Sequence, residues 1–252
     1  MQKTVLITGA TSGIGEAAAK IFAKNGCKLI LTGRREDRLM DFSNRLVSEF
    51  GIEVLPLVFD VRNLESVQNA VDRLPENWKT IDVLLNNAGL AVGLNPIQNG
   101  AIDDWERMID TNIKGLLYVT RCFAPLMIAR NSGHIINIGS IAGKEVYANG
   151  NVYCATKHAV DALTKAMRID MVKHGIKVTQ IAPGAVETEF SIVRFKGDKG
   201  AADNVYKGFT PLTANDIADV IYYVTSLPAH VCINDLVITP TAQASATNFY
   251  KV

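Results

Sequence analysis

Short β-branched or aliphatic runs alternate with longer segments of helical period along the whole chain. The runs are "TVLIT" from Thr4, "KLILT" from Lys28, "VLPLVF" from Val54, "IDVLLN" from Ile81, "HIINIG" from His134, "KVTQIA" from Lys177 and "DLVIT" from Asp235. Between them the period predicts helices near 13–25, 36–50, 64–73, 103–130, 151–174 and 213–227. Runs such as "LILT" and "VLLN" carry no polar alternation, as expected of parallel strands covered by helices on both faces. The expected fold is therefore α/β: a doubly wound, Rossmann-type sheet of about seven parallel strands, with ligands held beyond the strands' carboxyl ends. One domain over 1–252 is expected, since no repeat or low-complexity linker divides the chain. The stretch from Glu187 to Phe209 is the least periodic and reads as a loop, a lid or mobile segment over a substrate region of about 185–209.

Composition narrows the function classes. With 48% apolar residues, 20% charged residues and a formal net charge of +1, the chain reads as soluble and globular. No basic block with interleaved aromatics appears, so no nucleic-acid partner is expected. No apolar stretch approaches a membrane span or a signal-peptide core, which points to a cytoplasmic protein with no membrane partner. Cys27, Cys122, Cys154 and Cys232 form no C-x-x-C pair and are expected as reduced, mostly buried thiols. Cys154 and His158 stand at i and i+4, but no further pair completes a metal site, and none is expected.

After the first strand comes "TGATSGIG", which sets Gly9, Thr11, Ser12, Gly13, Ile14 and Gly15 at the start of a helix. Glycines there let the backbone approach a pyrophosphate, and the helix N-terminus offers unpaired N–H groups and a positive dipole end. The spacing is G-x-x-x-G-x-G rather than the commoner G-x-G-x-x-G. At the end of the second strand an acidic residue would select NAD. The sequence there is "LTGRRED", in which Arg34 and Arg35 suit a 2′-phosphate, so NADP(H) is the expected cofactor, with Asp37 leaving room for NAD. Downstream, "FDVRN" offers Asp60 and Val61 to an adenine, and "NNAGLAVG" offers Asn86, Asn87, Ala88 and Gly89 to the middle of the cofactor. Asn and Gly also favour turns for their own sake.

"YCATK" places Tyr153 and Lys157 four positions apart, one above the other on a helix face. An alcohol that loses hydride must also lose its hydroxyl proton, which calls for a nearby base. A tyrosine, with an ordinary pKa of about 10, serves only if neighbouring positive charge favours the phenolate, and Lys157 and the oxidised nicotinamide are the expected sources. Ser140 in "INIGSIAG" stands just beyond a strand end, where it can hydrogen-bond a substrate oxygen.

The ordered set "TGATSGIG", "NNAG", "DTNIKG", "INIGSIAG", "YCATK" and "PGAVET" resembles the short-chain dehydrogenase/reductase family over essentially the entire chain. The resemblance implies a catalytic tetrad of Asn112, Ser140, Tyr153 and Lys157, with Asn112 anchoring a water in a proton relay to Lys157. It also implies cofactor contacts from Tyr153, Lys157, Pro183, Gly184, Val186 and Thr188, the last at the nicotinamide carboxamide, although Thr188 could instead cap a helix. "EFSIVRFKGDKG" resembles the substrate loop of the NADP-dependent 3-hydroxy acid and serine dehydrogenases, in which Arg194 could hold a carboxylate or sulfonate. The substrate would be a small hydroxy acid bound by Ser140, Tyr153 and Arg194, and the family implies a homotetramer. Other carbonyl substrates, such as 3-oxoacyl thioesters or sulfonated aldehydes, and a non-catalytic dinucleotide sensor are the alternatives. The C-terminal "TPTAQASATNFYKV" either frays or reaches a neighbouring subunit.

Overall fold

All seven apolar runs become strands of one parallel sheet in the computed structural model, which describes residues 2–252. In chain order the elements are β1 (Thr4–Ile7), α1 (Gly13–Lys24), β2 (Lys28–Gly33), α2 (Glu36–Phe50), β3 (Val54–Val58), α3 (Leu64–Asp72) and β4 (Val83–Asn86). There follow α4 (Ile102–Ile109), α5 (Leu116–Ile128), β5 (Gly133–Ile138), α6 (Asn151–Met171), β6 (Ile176–Pro183), β7 (Val186–Glu187), α7 (Glu189–Arg194), α8 (Lys199–Asn204), β8 (Leu212–Thr213), α9 (Ala214–Ser226) and β9 (Asp235–Ile238). The sheet order is β3-β2-β1-β4-β5-β6-β9, and the reversal of direction between β1 and β4 opens a crevice at their carboxyl ends.

The missing polar alternation has a direct cause. Val5, Ile7, Leu29 and Leu31 pack into the layer with Phe22, Leu39 and Ile217, whereas Leu6 and Ile30 pack into the layer with Val67, Phe123 and Val160. Successive side chains thus enter opposite cores, and both must be apolar. Helix ends follow ordinary chemistry. Asn63 accepts a hydrogen bond from Ser66 N to start α3, Thr213 and Asp216 form a capping box on α9, and Gly51 ends α2 at φ 65°.

Two sequence expectations are corrected. The helix expected unbroken over 103–130 is α4 and α5 joined by a π-helical turn, Asp110–Gly115, which carries Asn112. The segment read as a loop from Glu187 to Phe209 contains α7 and α8, and β7 pairs in parallel with β8. Thr188 caps α7 and Asp198 caps α8, but each helix buries a single residue, Ser191 and Ala202, leaving no apolar period to read. Cys27, Cys122 and Cys154 are buried free thiols, and Cys232 is exposed. Among the described residues, no helix is long and apolar enough to cross a membrane.

His134, at the start of β5, is 4% exposed, and its Nε2 lies 2.7 Å from Thr179 Oγ1. Burial, with the charges of Lys177 and Lys3, pushes its pKa down from 6.5 to about 3. A folded-state pKa below the unfolded one means the folded protein keeps a neutral ring while the unfolded chain takes up a proton. The associated stability is complete above pH 6.5 and falls as pH drops toward 3. This residue alone should cost about 3 kcal/mol between pH 6.5 and pH 4. His134→Gln should flatten the fall in thermal midpoint across that range, and an unchanged slope would refute the assignment.

Candidate active site

The crevice at the strand ends holds a cavity of about 560 Å³. At its mouth the β1–α1 turn places Gly9 at φ 66° and Gly13 at φ 54°, left-handed conformations that suit glycine, beside Thr11, Ser12 and Ile14. Gly15, expected as a cofactor contact, does not line the cavity. A Cβ there would lie 2.4 Å from Gly9 O, so this glycine lets α1 pack against the turn. Thr8 ties the neighbouring strand end in place, its Oγ1 accepting from Asn87 N and Ala88 N, both at 3.0 Å, while Asn87 Nδ2 donates to Thr8 O at 2.9 Å. Asn87, Ala88 and Gly89 then line the cavity. Asn86 does not: its Nδ2 donates inside the core to Thr120 Oγ1 and Asn137 Oδ1, each at 2.9 Å.

Arg34 and Arg35 flank the end of β2 and face the same cavity. Arg35 NH2 donates to Thr11 Oγ1 at 3.2 Å, and Arg34 NH1 lies 3.7 Å from Asp60 Oδ2. These half-free guanidiniums, the unpaired N–H groups at the start of α1 and the open glycine turn fit a phosphorylated dinucleotide. Asp37 does not line the cavity. Asp60 and Val61 do, yet the Asp60 carboxylate is already gripped by Arg62, with Nε 3.1 and 3.0 Å from the two oxygens and NH2 at 2.7 Å. Burial acts to raise the pKa of Asp60, but the Arg62 bonds outweigh it and hold the group below the usual carboxylate range.

Ser140, Tyr153 and Lys157 line the same cavity. Ser140 begins the short turn after β5, its Oγ accepting from Ala142 N at 3.1 Å and donating to Pro183 O at 3.4 Å. Lys144, at the end of that turn, pairs with Asp161 of α6 and Asp235 of β9, which fixes the turn against the helix that carries Tyr153 and Lys157. Lys157 Nζ donates to Ile138 O at 2.9 Å and lies 5.9 Å from the Tyr153 ring centroid; burial pushes its pKa down to about 8. Tyr153 is buried beside Arg194. Burial pushes its phenol above the ordinary value, and the groups that oppose this are the Arg194 charge and a hydrogen bond with Ser140 rather than Lys157.

Asn112 sits on the π-helical turn between α4 and α5. It lies outside the cavity, with Oδ1 accepting from Leu90 N at 2.8 Å and Nδ2 donating to Leu90 O at 2.8 Å and Thr156 Oγ1 at 3.0 Å. Its side chain bridges the β4 loop to α6.

Pro183, Gly184, Val186 and Thr188 line the far wall, and Thr188 Oγ1 also accepts from Phe190 N at 3.3 Å, so the wall residue and the helix cap are the same threonine. Arg194 reaches in from the end of α7. Its Cζ lies 4.9, 5.3 and 5.8 Å from the ring centroids of Tyr153, Phe190 and Tyr147, and its NH2 donates to Tyr147 Oη at 2.6 Å. Tyr147, Phe190, Gln243 and Phe249 line the cavity without having been singled out in the sequence. They come from separate stretches and form no motif. No group of three potential metal ligands is clustered among the described residues.

The short chain dehydrogenase family pattern matches residues 3–198. The chain is 49% identical to the NADP-dependent 3-hydroxy acid dehydrogenase YdfG of Salmonella typhi over 96% of each chain. It is 47% identical to sulfoacetaldehyde reductase 2 of Chromohalobacter salexigens, over 97% of this chain and 96% of that one. Among solved structures, the closed form of serine dehydrogenase complexed with NADP+ superposes with a TM-score of 0.92 at 46% identity, covering 99% of this chain and all of the other.

Proposed function

The chain belongs to the short chain dehydrogenase family, and from that premise we propose that it is an NADP-dependent oxidoreductase acting on a small 3-hydroxy acid such as serine or 3-hydroxypropionate. One observation carries the reading: Ser140, Tyr153 and a guanidinium, Arg194, converge in a cavity that Arg34 and Arg35 also line. A carboxylate on Arg194 places a hydroxyl group toward Ser140 and Tyr153.

Bound NADP(H) supplies the acceptor or donor of hydride. Gly9, Ser12, Gly13 and Ile14 would hold its pyrophosphate, Arg34 and Arg35 its 2′-phosphate, Asn87 to Gly89 its middle, and Pro183, Val186 and Thr188 its nicotinamide end. Ser140 donates a hydrogen bond to the substrate oxygen and stabilises the charge that develops there. Tyr153 takes the hydroxyl proton in oxidation and returns it in reduction. Lys157 orients the nicotinamide ribose through its ammonium group. Asn112 acts as a positioning residue that holds the β4 loop against α6. A sulfonated aldehyde is the second substrate reading, supported by the 47% identical relative, since Arg194 accepts either anion. A cytoplasmic homotetramer belongs to the same proposal, supported by free thiols and by the exposed apolar residues Ile169 and Val172 at the end of α6.

Initial rates of NADP-linked oxidation of 3-hydroxy acids, run beside NADPH-linked reduction of sulfoacetaldehyde, test the substrate. Turnover of neither class would overturn the proposal. NADP should bind more tightly than NAD, and Arg34→Ala should weaken NADP about tenfold, one charge-assisted contact being worth about 1.5 kcal/mol, with little change for NAD. Equal weakening of both cofactors in a binding titration would count against 2′-phosphate recognition.

A further inference from the structure

One polar cluster brackets Ser140 from both sides. On the strand side the backbone leans on Gln180 of β6, so closely that a Cβ at Gly139 would lie 2.9 Å from Gln180 Cδ. On the other side the turn Ile141–Gly143 ends at Lys144 and presses on α6, where a Cβ at Gly143 would lie 2.5 Å from Lys157 O. Lys144 Nζ donates to Asp161 Oδ1 of α6 at 2.5 Å and to Asp235 Oδ2 of β9. Gln180 Nε2 donates to the same two carboxylates, at 2.9 Å to Asp161 Oδ1 and at 3.2 Å to Asp235 Oδ1. The groups that hold the chain before and after Ser140 thus share both acceptors. Lys165 also pairs with Asp161, but its side chain is 60% exposed against 22% for Lys144, so water screens that arm more.

Ser140 itself is loosely tied: its Oγ accepts one bond within the turn, and the bond it donates to Pro183 O is long at 3.4 Å. We propose that Lys144, Asp161, Asp235 and Gln180 form a clamp that positions Ser140 toward Tyr153, with Lys144 as the positioning residue that closes it. The inference rests on the proposed function, in which Ser140 holds the substrate oxygen. A donor aimed at developing charge is effective only at hydrogen-bond distance. Without Lys144, two carboxylates share one amide group and repel each other, and the turn loses its tethers to α6 and β9 together. Burial works against both charges, yet the hydrogen bonds between them hold Asp161 down at about 2 and Lys144 above its ordinary value. The clamp therefore stays charged at neutral pH.

The test measures kcat, KM and the pH profile of oxidation in the parent, Lys144→Met, Lys144→Arg and Lys165→Met. Lys144→Met should lower kcat by about 10- to 100-fold, the cost of misplacing a group near the reacting atoms, with KM changed by less than about threefold because Arg194 reaches the substrate from α7. Lys144→Arg should recover most of kcat, since a guanidinium can also bridge two carboxylates, and Lys165→Met should leave it unchanged. Of the groups that face the Tyr153 phenol, Arg194, Tyr147, Cys154 and Lys157 keep their places and Ser140 moves. The Ser140 hydrogen bond helps to hold that phenol's pKa down, so the oxidation limb of Lys144→Met should move to higher pH. An unchanged kcat, an equal loss in Lys165→Met, or a loss with the limb unmoved overturns the proposal. If Lys144→Met does not fold, Asp235→Asn, which keeps the Asp161 pair, is judged by the same two readings. If the parent turns over neither substrate class, the functional reading fails separately. The clamp is then judged by ultraviolet difference titration of the Tyr153 phenolate, with Tyr153→Phe as the blank in each background: an alkaline shift in Lys144→Met supports it, and no shift overturns it.

Discussion

Tyr153→Phe is expected to lower kcat by about 10²–10⁴-fold, the usual contribution of a positioned acid or base, while the Kd for NADP changes by less than about threefold. The variant removes one oxygen and leaves the ring, which packs against Phe190 at 5.7 Å between centroids, so the shape of the site is kept. The pH dependence should also show a particular sign. Burial raises the Tyr153 phenol above its ordinary value, so the protonated form that serves reduction is abundant at neutral pH. Oxidation needs the deprotonated form and should accelerate as pH rises into the alkaline range, whereas reduction should slow. Arg194 opposes the effect of burial, so its removal should move the oxidation limb to still higher pH. Turnover at the parental rate in the phenylalanine variant, with cofactor affinity intact, would remove Tyr153 from the chemistry.

Where cavity-lining residues stand close together in the chain, the sequence suffices to find them. The seven strands follow from unalternated apolar runs, and the glycine turn, Arg34, Arg35, Ser140, Tyr153 and Lys157 follow from short motifs that sit at strand ends or on a helix face. What depends on packing is not legible in that way. Asn86 and Asn87 are neighbours of one residue type, yet pleating sends the first into the core and the second to the crevice. Gly15 stands in the fingerprint for helix packing, and Asn112 is engaged by Leu90 and Thr156 because a π-helical turn re-aims it. The direction of the Tyr153 shift is not legible for the same reason: the i, i+4 spacing reveals the nearby lysine, but burial and the approach of Arg194 from a distant helix are tertiary quantities.

Arg194→Ala should lower kcat/KM for an acidic substrate by about 10²-fold, near the lower end of what truncating one partner of a buried, hydrogen-bonded charge pair costs, since Arg194 is only half-buried. An uncharged alcohol of equal length should lose far less, through the alkaline shift of Tyr153 alone. This difference separates substrate recognition from support of the surrounding segment. The backbone carbonyl of Arg194 accepts from Gly93 N at 3.0 Å, and the Lys196–Asp104 ion pair at 2.7 Å lies close by; the substitution preserves both contacts. Arg194 Nε is buried with no hydrogen-bond partner in the protein, while NH2 donates to Tyr147 Oη. Arg194→Lys should restore the charge but not the loss, because an ammonium group cannot offer two parallel donors while stacked among three aromatic rings. Equal losses on acidic and neutral substrates would assign Arg194 to the architecture of the lid and would take the carboxylate out of the recognition scheme.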